Sequence, residues 1–206
     1  MNTNKALNMA ARITSGIFHP LLIPSLGFLL LFNSGFYFAL LPLNVMKFMF
    51  LVVFLSTGFL PALSIGMLAL NPRFDRNMEK STDRVLPFMI SSIFYYVGYL
   101  ILKRLPVFPI YNFFLLASIL VQVALLVISM RWKISAHSAA IGGLVGAFFT
   151  LSFRMDANPL WILVVLILIA GLVGSSRLIL GKHTGAQVYT GFLLGLIIMI
   201  AVFSYI

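Results

Sequence analysis

The sequence predicts an all-α fold: a polytopic transmembrane helical bundle of about six to seven spans, formed as a single domain over residues 1–206. Three observations predict it. Of the 206 residues, 62% are hydrophobic and only 9% are charged, whereas a soluble domain is about a quarter charged. The mean hydropathy is +1.10. The apolar residues fall into long runs separated by short polar corners, the pattern that a hydrocarbon core about 30 Å thick demands of spanning helices. Cysteine is absent, which excludes a disulfide framework and a thiolate metal site. The net charge of +10 comes from 14 Lys and Arg against 4 Asp and Glu. Such an excess serves either to meet anionic lipid at the membrane flanks or to hold an anionic substrate. No polar tail is long enough to suggest nucleic-acid binding.

Residues 1–16 are polar and mildly basic, with Lys5 and Arg12. They lack the compact basic start and small-residue cleavage site of a secretory signal, so a short interfacial helix is expected. The first apolar run covers residues 17–41, and His19-Pro20 and Pro24 interrupt its start. Proline is tolerated in a first helical turn, so this span begins near Pro20 or is broken there, and His19 is expected to be interfacial rather than a ligand. A second run covers residues 45–70. Residues 71–87 are the most charged segment and contain three of the four acidic residues, Asp75, Glu79 and Asp83. The third run, 88–102, ends at Lys103-Arg104, and the fourth covers 111–130. The corner from Arg131 to Ser138 opens a fifth run that reaches 153. Residues 154–159, with Asp156 and Pro159, read as a turn. The sixth run is 160–175, and a seventh runs from 188 to the end. Gly142 with Gly146, Gly171 with Gly174, and Gly191 with Gly195 are small residues at helical spacing, which lets helices approach closely in lipid. A phosphate-loop reading of these glycines fails because such loops follow a strand, and the chain offers none.

Parity then groups the polar corners. With seven spans, the charged loop at 71–87, the corner from Arg131 to Ser138 and the corner from Arg177 to Gln187 all lie on the N-terminal side. That side would carry ten basic residues, Lys5, Arg12, Arg73, Arg76, Lys80, Arg84, Arg131, Lys133, Arg177 and Lys182, against four on the other, Lys47, Lys103, Arg104 and Arg154. His137 and His183 fall on the same face, and His19 is expected there too. Ionisable groups gathered at a membrane boundary point to function. In the last of the corners, Arg177 supplies a planar cationic fork suited to phosphate oxygens. His183 supplies an imidazole able to act as nucleophile or proton carrier. Gln187 lies four residues on, so a helix beginning near His183 sets the two on one face, where the amide oxygen can hold one ring nitrogen.

These residues resemble the type 2 phosphatidic acid phosphatase and haloperoxidase superfamily. That family's third motif is Ser-Arg, five residues, His, three residues, Asp; here it reads Ser176-Arg177, five residues, His183, three residues, Gln187. Its second motif, Pro-Ser-Gly-His, reads Ile134-Ser135-Ala136-His137. Its first, Lys, six residues, Arg-Pro, corresponds to Lys80 and Arg84 with Pro87, where the residue types are kept and the spacing is not. The resemblance implies an integral membrane lipid phosphatase that works without a metal or other cofactor. His183 would attack phosphorus and form a phosphohistidine, and His137 would protonate the leaving oxygen and then activate water. Lys80, Arg84 and Arg177 would hold the phosphoryl oxygens, with Ser135 and the amides at the start of the fifth helix as neutral donors. The implied partners are a lipid phosphate substrate and membrane lipids.

The chain departs from the family at the position of Gln187. The family Asp orients the nucleophilic histidine and stabilises its cation, whereas Gln187 accepts from the ring but carries no charge. In the serine-protease triad the corresponding Asp→Asn change costs about 10⁴ in turnover. Asp83 is a candidate substitute on the same face, and Asp156 falls on the other. Ala136 stands where the family has Gly, which adds a methyl group where backbone approaches phosphate. Three readings follow: a lipid phosphatase, a degenerate member that binds or transports an anionic lipid without turnover, and a structural membrane subunit. A haloperoxidase is disfavoured because those are expected as soluble enzymes. For orientation, the excess of basic residues favours a cytoplasmic site, and the resemblance to periplasmic lipid phosphatases favours the outer face of a bacterial plasma membrane.

Overall fold

The computed structural model describes residues 3–71, 80–154 and 160–205; Arg73, Asp75, Arg76, Glu79 and Asp156 lie outside them. Among the described residues the chain is helical with no strand. The helices are α1 (Thr3–Ile17), α2 (Ile23–Phe32), α3 (Leu43–Leu68), α4 (Val85–Leu102), α5 (Pro109–Ser129), α6 (Ala136–Arg154), α7 (Leu160–Ile179) and α8 (Gly185–Phe203). A π-helical turn over Phe54–Phe59 interrupts α3, and a 3₁₀ turn over Thr82–Arg84 leads into α4. Among the described residues six helices, α3 to α8, are long and apolar enough to cross a membrane.

The first apolar run does not form the long helix expected of residues 17–41. Its helix, α2, has ten residues, about 15 Å at the α-helical rise, half of a hydrocarbon core. Pro24 sits in its first turn. Its last turn is closed by Asn33, whose side-chain amide donates to the Leu29 carbonyl at 2.8 Å, and Gly35 follows at φ +77°, a left-handed conformation that glycine adopts freely. The chain still reaches the far end of the bundle. His19 meets His137 at one end, and Tyr37 meets Phe108, in the loop before α5, at the other. The three expected corners therefore remain on one face.

Lipid is as apolar as a leucine side chain, so helix association here depends on close packing rather than on escape from water. α6 and α8 provide it. A Cβ placed on Gly142 or Gly146 would strike the backbone of Phe192 or Leu196, and one on Gly191 or Gly195 would strike the carbonyls of Ser135 or Ala139. The two backbones are thus in direct contact, and α6 is the most enclosed of the spans. Around them, Phe28, Phe114 and Phe203 pack edge to face at 5.7–6.3 Å between ring centres, a favoured aromatic arrangement. Leu63, Met67, Trp161, Leu168 and Leu193 are exposed on the outer surface, where the acyl chains of a bilayer would meet them.

Candidate functional site

Three helix ends assemble the site. α7 ends in a Schellman motif. Lys182 N–H donates to the Arg177 carbonyl at 3.2 Å, Gly181 N–H donates to the Leu178 carbonyl at 2.9 Å, and Gly181 takes φ +60°, the left-handed cap such an end requires. This tight return carries the chain from Arg177 to His183 in the five intervening residues. α8 then begins with a capping box: Thr184 Oγ1 accepts from Gln187 N–H at 3.4 Å, and Gln187 Oε1 accepts from Thr184 N–H at 3.2 Å. α6 begins at Ser135, whose Oγ accepts from Ser138 N–H at 3.4 Å and from the Ser138 hydroxyl at 3.0 Å. Ser135 N–H donates to the Gln187 carbonyl at 3.2 Å, so the starts of α6 and α8 are tied together.

Within this frame His183 is buried, with 8% of its surface exposed. Its Nδ1 lies 3.0 Å from Gln187 Oε1. An amide side chain presents either oxygen or nitrogen, but a backbone N–H only donates. The Thr184 N–H therefore requires that oxygen face it, and the same oxygen faces His183. Nδ1 must then carry a proton. The His183 pKa is lowered to about 4, first by burial, then by the Arg84 charge and, less strongly, by that of Arg177, against hydrogen bonds to Gln187 and the Lys133 backbone that raise it. At neutral pH the ring is uncharged with its single proton on Nδ1, which leaves a lone pair on Nε2. Gln187 thus sets the tautomer as an orienting carboxylate would, without supplying a charge.

His137 is half-buried in the first turn of α6, and its Nε2 donates to the Ser15 carbonyl at 3.2 Å. Arg177 Nη1 donates to the Ser15 hydroxyl at 3.3 Å, and Arg177 Nε is enclosed without a partner. Arg84 Nη1 donates to the Ile134 carbonyl at 3.1 Å. A cavity of about 500 Å³ joins these groups. His19, Arg84, His137, Arg177 and His183 line it, and Ala62, Ile65, Gly66 and Ala69, one face of the last turns of α3, add an apolar wall with Pro87 and Phe88.

Of the residues singled out from the sequence, the fold brings together His183, Gln187, His137, Arg84 and Arg177. Lys80 is exposed and does not line the cavity. Ser135 is fully buried and caps α6, so its hydroxyl is spent on the helix and not turned to the cavity. Asp83 accepts from the Lys80 N–H at 3.2 Å, and it is Gln187 that faces the ring of His183. His19, expected at the interface, lines the cavity instead. Ser15 was not foreseen at all. It acts on His137 through a backbone carbonyl, which leaves no mark in a sequence. Among the described residues no cluster of His, Cys, Asp or Glu is suited to a metal ion.

Residues 129–206 match the family model of the PAP2 superfamily, which meets the resemblance drawn from the motifs. The match covers the end of α5 through α8, with the second and third motifs inside it and Lys80 and Arg84 outside. No curated protein and no solved structure matches the chain.

Proposed function

We propose that this chain, with the PAP2 superfamily match over residues 129–206, is a membrane phosphatase that hydrolyses a lipid phosphomonoester or diphosphate through a phosphohistidine. The observation that carries the reading is the contact of His183 Nδ1 with an oxygen whose identity the Thr184 N–H dictates. It leaves Nε2 of a neutral imidazole as a nucleophile. In the first step Nε2 bonds to phosphorus and the bond from phosphorus to the lipid oxygen breaks, while His137, entering the step as the imidazolium with its Nε2–H on Ser15, gives that oxygen its Nδ1 proton. Arg84 and Arg177 offset the charge that spreads over the remaining phosphoryl oxygens. In the second step water attacks phosphorus and yields its proton to His137. The P–N bond breaks, and phosphate leaves with both histidines restored.

The cavity's mixed lining supports a lipid substrate, since cations and imidazoles share it with an apolar wall of α3. A soluble phosphate ester has no use for that wall. A second reading draws on Gln187 itself. A neutral amide does not offset the positive charge on a phosphorylated imidazole, and a protein that binds or transports an anionic lipid without turnover has no need of one.

Phosphate release from phosphatidate, phosphatidylglycerophosphate and polyprenyl diphosphate, in detergent with chelator, separates the two. Release by the wild type that is lost in His183→Ala supports the phosphatase. Silence from the wild type with release by Gln187→Asp supports the binding reading. We place the site on the periplasmic face of a bacterial plasma membrane. The chain lacks cysteine, so labelling of Lys182→Cys by an impermeant maleimide in whole cells and in inverted vesicles tests that placement; labelling in inverted vesicles alone overturns it.

A further inference from the structure

The turn after α1 carries a histidine that none of the three motifs includes. His19 is solvent-accessible and lines the cavity shared by His137, His183, Arg84 and Arg177. It is held on several sides. Leu21 N–H donates to its Nδ1 at 3.4 Å, and Leu22 N–H donates to its carbonyl at 2.8 Å. The next residue, Pro20, restricts the backbone. The Leu21 carbonyl accepts from Thr57 Oγ1 at 3.4 Å, a hydroxyl that also reaches the Val53 carbonyl at 2.9 Å. Thr57 is fully buried within the π-helical turn of α3, a feature that recurs at functional sites. Finally, the His19 ring meets His137 edge-on at 5.5 Å. The turn is therefore anchored to α3 and α6 and is not a loose connection at the membrane surface.

Chemistry then assigns the ring's proton. A backbone N–H only donates, so Nδ1 is an acceptor and the neutral ring carries its hydrogen on Nε2. Desolvation within the site, then the Arg177 charge, lower the His19 pKa from 6.5, which keeps the ring neutral at pH 7. A third cation here would be repelled by two guanidinium groups, whereas a neutral N–H adds a donor without that cost.

We propose that His19 Nε2–H donates to a phosphoryl oxygen of the anion held by Arg84 and Arg177, so that the N-terminal segment forms one wall of the phosphate site. The proposal rests on the reading of the cavity as a phosphoryl site. Ser15, one turn earlier, acts through others: its carbonyl holds His137 and its hydroxyl holds Arg177, which makes it a positioning residue.

The test uses the full chain in detergent and the shift in thermal unfolding on ligand addition, which reports the dissociation constant. Inorganic phosphate and a dioctanoyl phosphatidate are titrated separately. His19→Phe, which keeps a ring and loses the donor, is expected to bind both about tenfold more weakly. His19→Gln, whose amide reaches the place of Nε2, is expected to lose no more than about threefold. Binding by His19→Phe at the wild-type level, or equal losses in both variants, overturns the proposal. So does a loss confined to the lipid, which would place His19 against the leaving group or tail. A wild type that phosphate does not stabilise overturns it as well. If His19→Phe does not fold, the ¹⁵N resonance of His19 Nε2 in the wild type decides: movement on phosphate addition supports the proposal and constancy overturns it. A wild type that binds phosphate through His19 but hydrolyses nothing sinks the phosphatase reading and leaves this inference standing.

Discussion

The two motif histidines are held in opposite ways. His183 is oriented by a side chain four residues on, within one capping box. His137 is oriented by a backbone carbonyl 122 residues earlier, on a helix that precedes every long span. The first arrangement is local, so it forms whenever α8 begins at Gly185. The second exists only after α1 has docked against α7 and placed Ser15 between His137 and Arg177. The geometry of His183 is thus built into a short segment, whereas that of His137 depends on assembly of the whole chain.

Removal of each part measures this contrast. The largest effect is expected from His183→Ala, which abolishes the phosphoenzyme and lowers turnover by about 10⁴ or more; an acid-labile ³²P label that persists in this variant would refute the assignment. Next comes Gly195→Val, which forces the α6 and α8 backbones apart at Ala139. Overpacking of this kind costs about 1–3 kcal/mol, seen as a lowered midpoint of thermal unfolding, and it separates His137 from His183 while the capping box survives. An unchanged midpoint and unchanged turnover would mean that the two histidines need no such clamp.

The pH dependence sharpens the local half. His183 has a folded pKa of about 4 against an ordinary value of 6.5, so below pH 6.5 the unfolded chain binds a proton that the folded chain resists. Its contribution to stability is intact above 6.5 and is lost as the pH falls from 6.5 toward 4. Gln187→Glu places a carboxylate near the ring and should raise the His183 pKa by about one to three units, which brings it closer to the unfolded value and so shrinks that loss. An NMR titration of His183 reads the change, and a pKa that stays at 4 would show that the side chain at 187 does not face Nδ1. The smallest effect is expected from Ser15→Ala. It deletes the hydroxyl on Arg177 and keeps the carbonyl on His137, at a cost of about 1 kcal/mol or less. A loss of turnover as large as that of His183→Ala would mean that the hydroxyl, and not the carbonyl, is the group that matters.

How far the site was legible follows the same division. Arg177, His183 and Gln187 could be read because their spacing is short: the motif sets five residues between Arg177 and His183 and places Gln187 four beyond, and the structure realises it with two local devices, a Schellman turn at Gly181 and a capping box of Thr184 with Gln187. Ser135 was read as a phosphate donor because Ser-Ala-His resembles a motif, but the helix it starts claims the hydroxyl first. Lys80 matched by residue type and fell outside the cavity, since two cations four residues apart before a helix do not reveal which one the fold turns inward. The broken first span was foreshadowed by His19-Pro20 and Pro24. Its early end at Phe32 depended on Asn33 and Gly35, whose local bonds outweigh the apolar residues beyond them.

By itself, the sequence determined the class of the molecule, the spans α3 to α8 and the pairing of His183 with Gln187 at the α7–α8 corner. Hydropathy and helix capping act over one or a few turns, and their residue preferences are written where they act. Only the tertiary structure decided the rest: the backbone contact of α6 with α8, the carbonyl of Ser15 on His137, the turn of His19 into the cavity and the apolar wall supplied by α3. Each of these joins segments far apart in the chain: the paired glycines of α6 and α8 announce a close approach but not which helices meet, and the backbone groups that hold His137 and the His19 turn are carried alike by every residue.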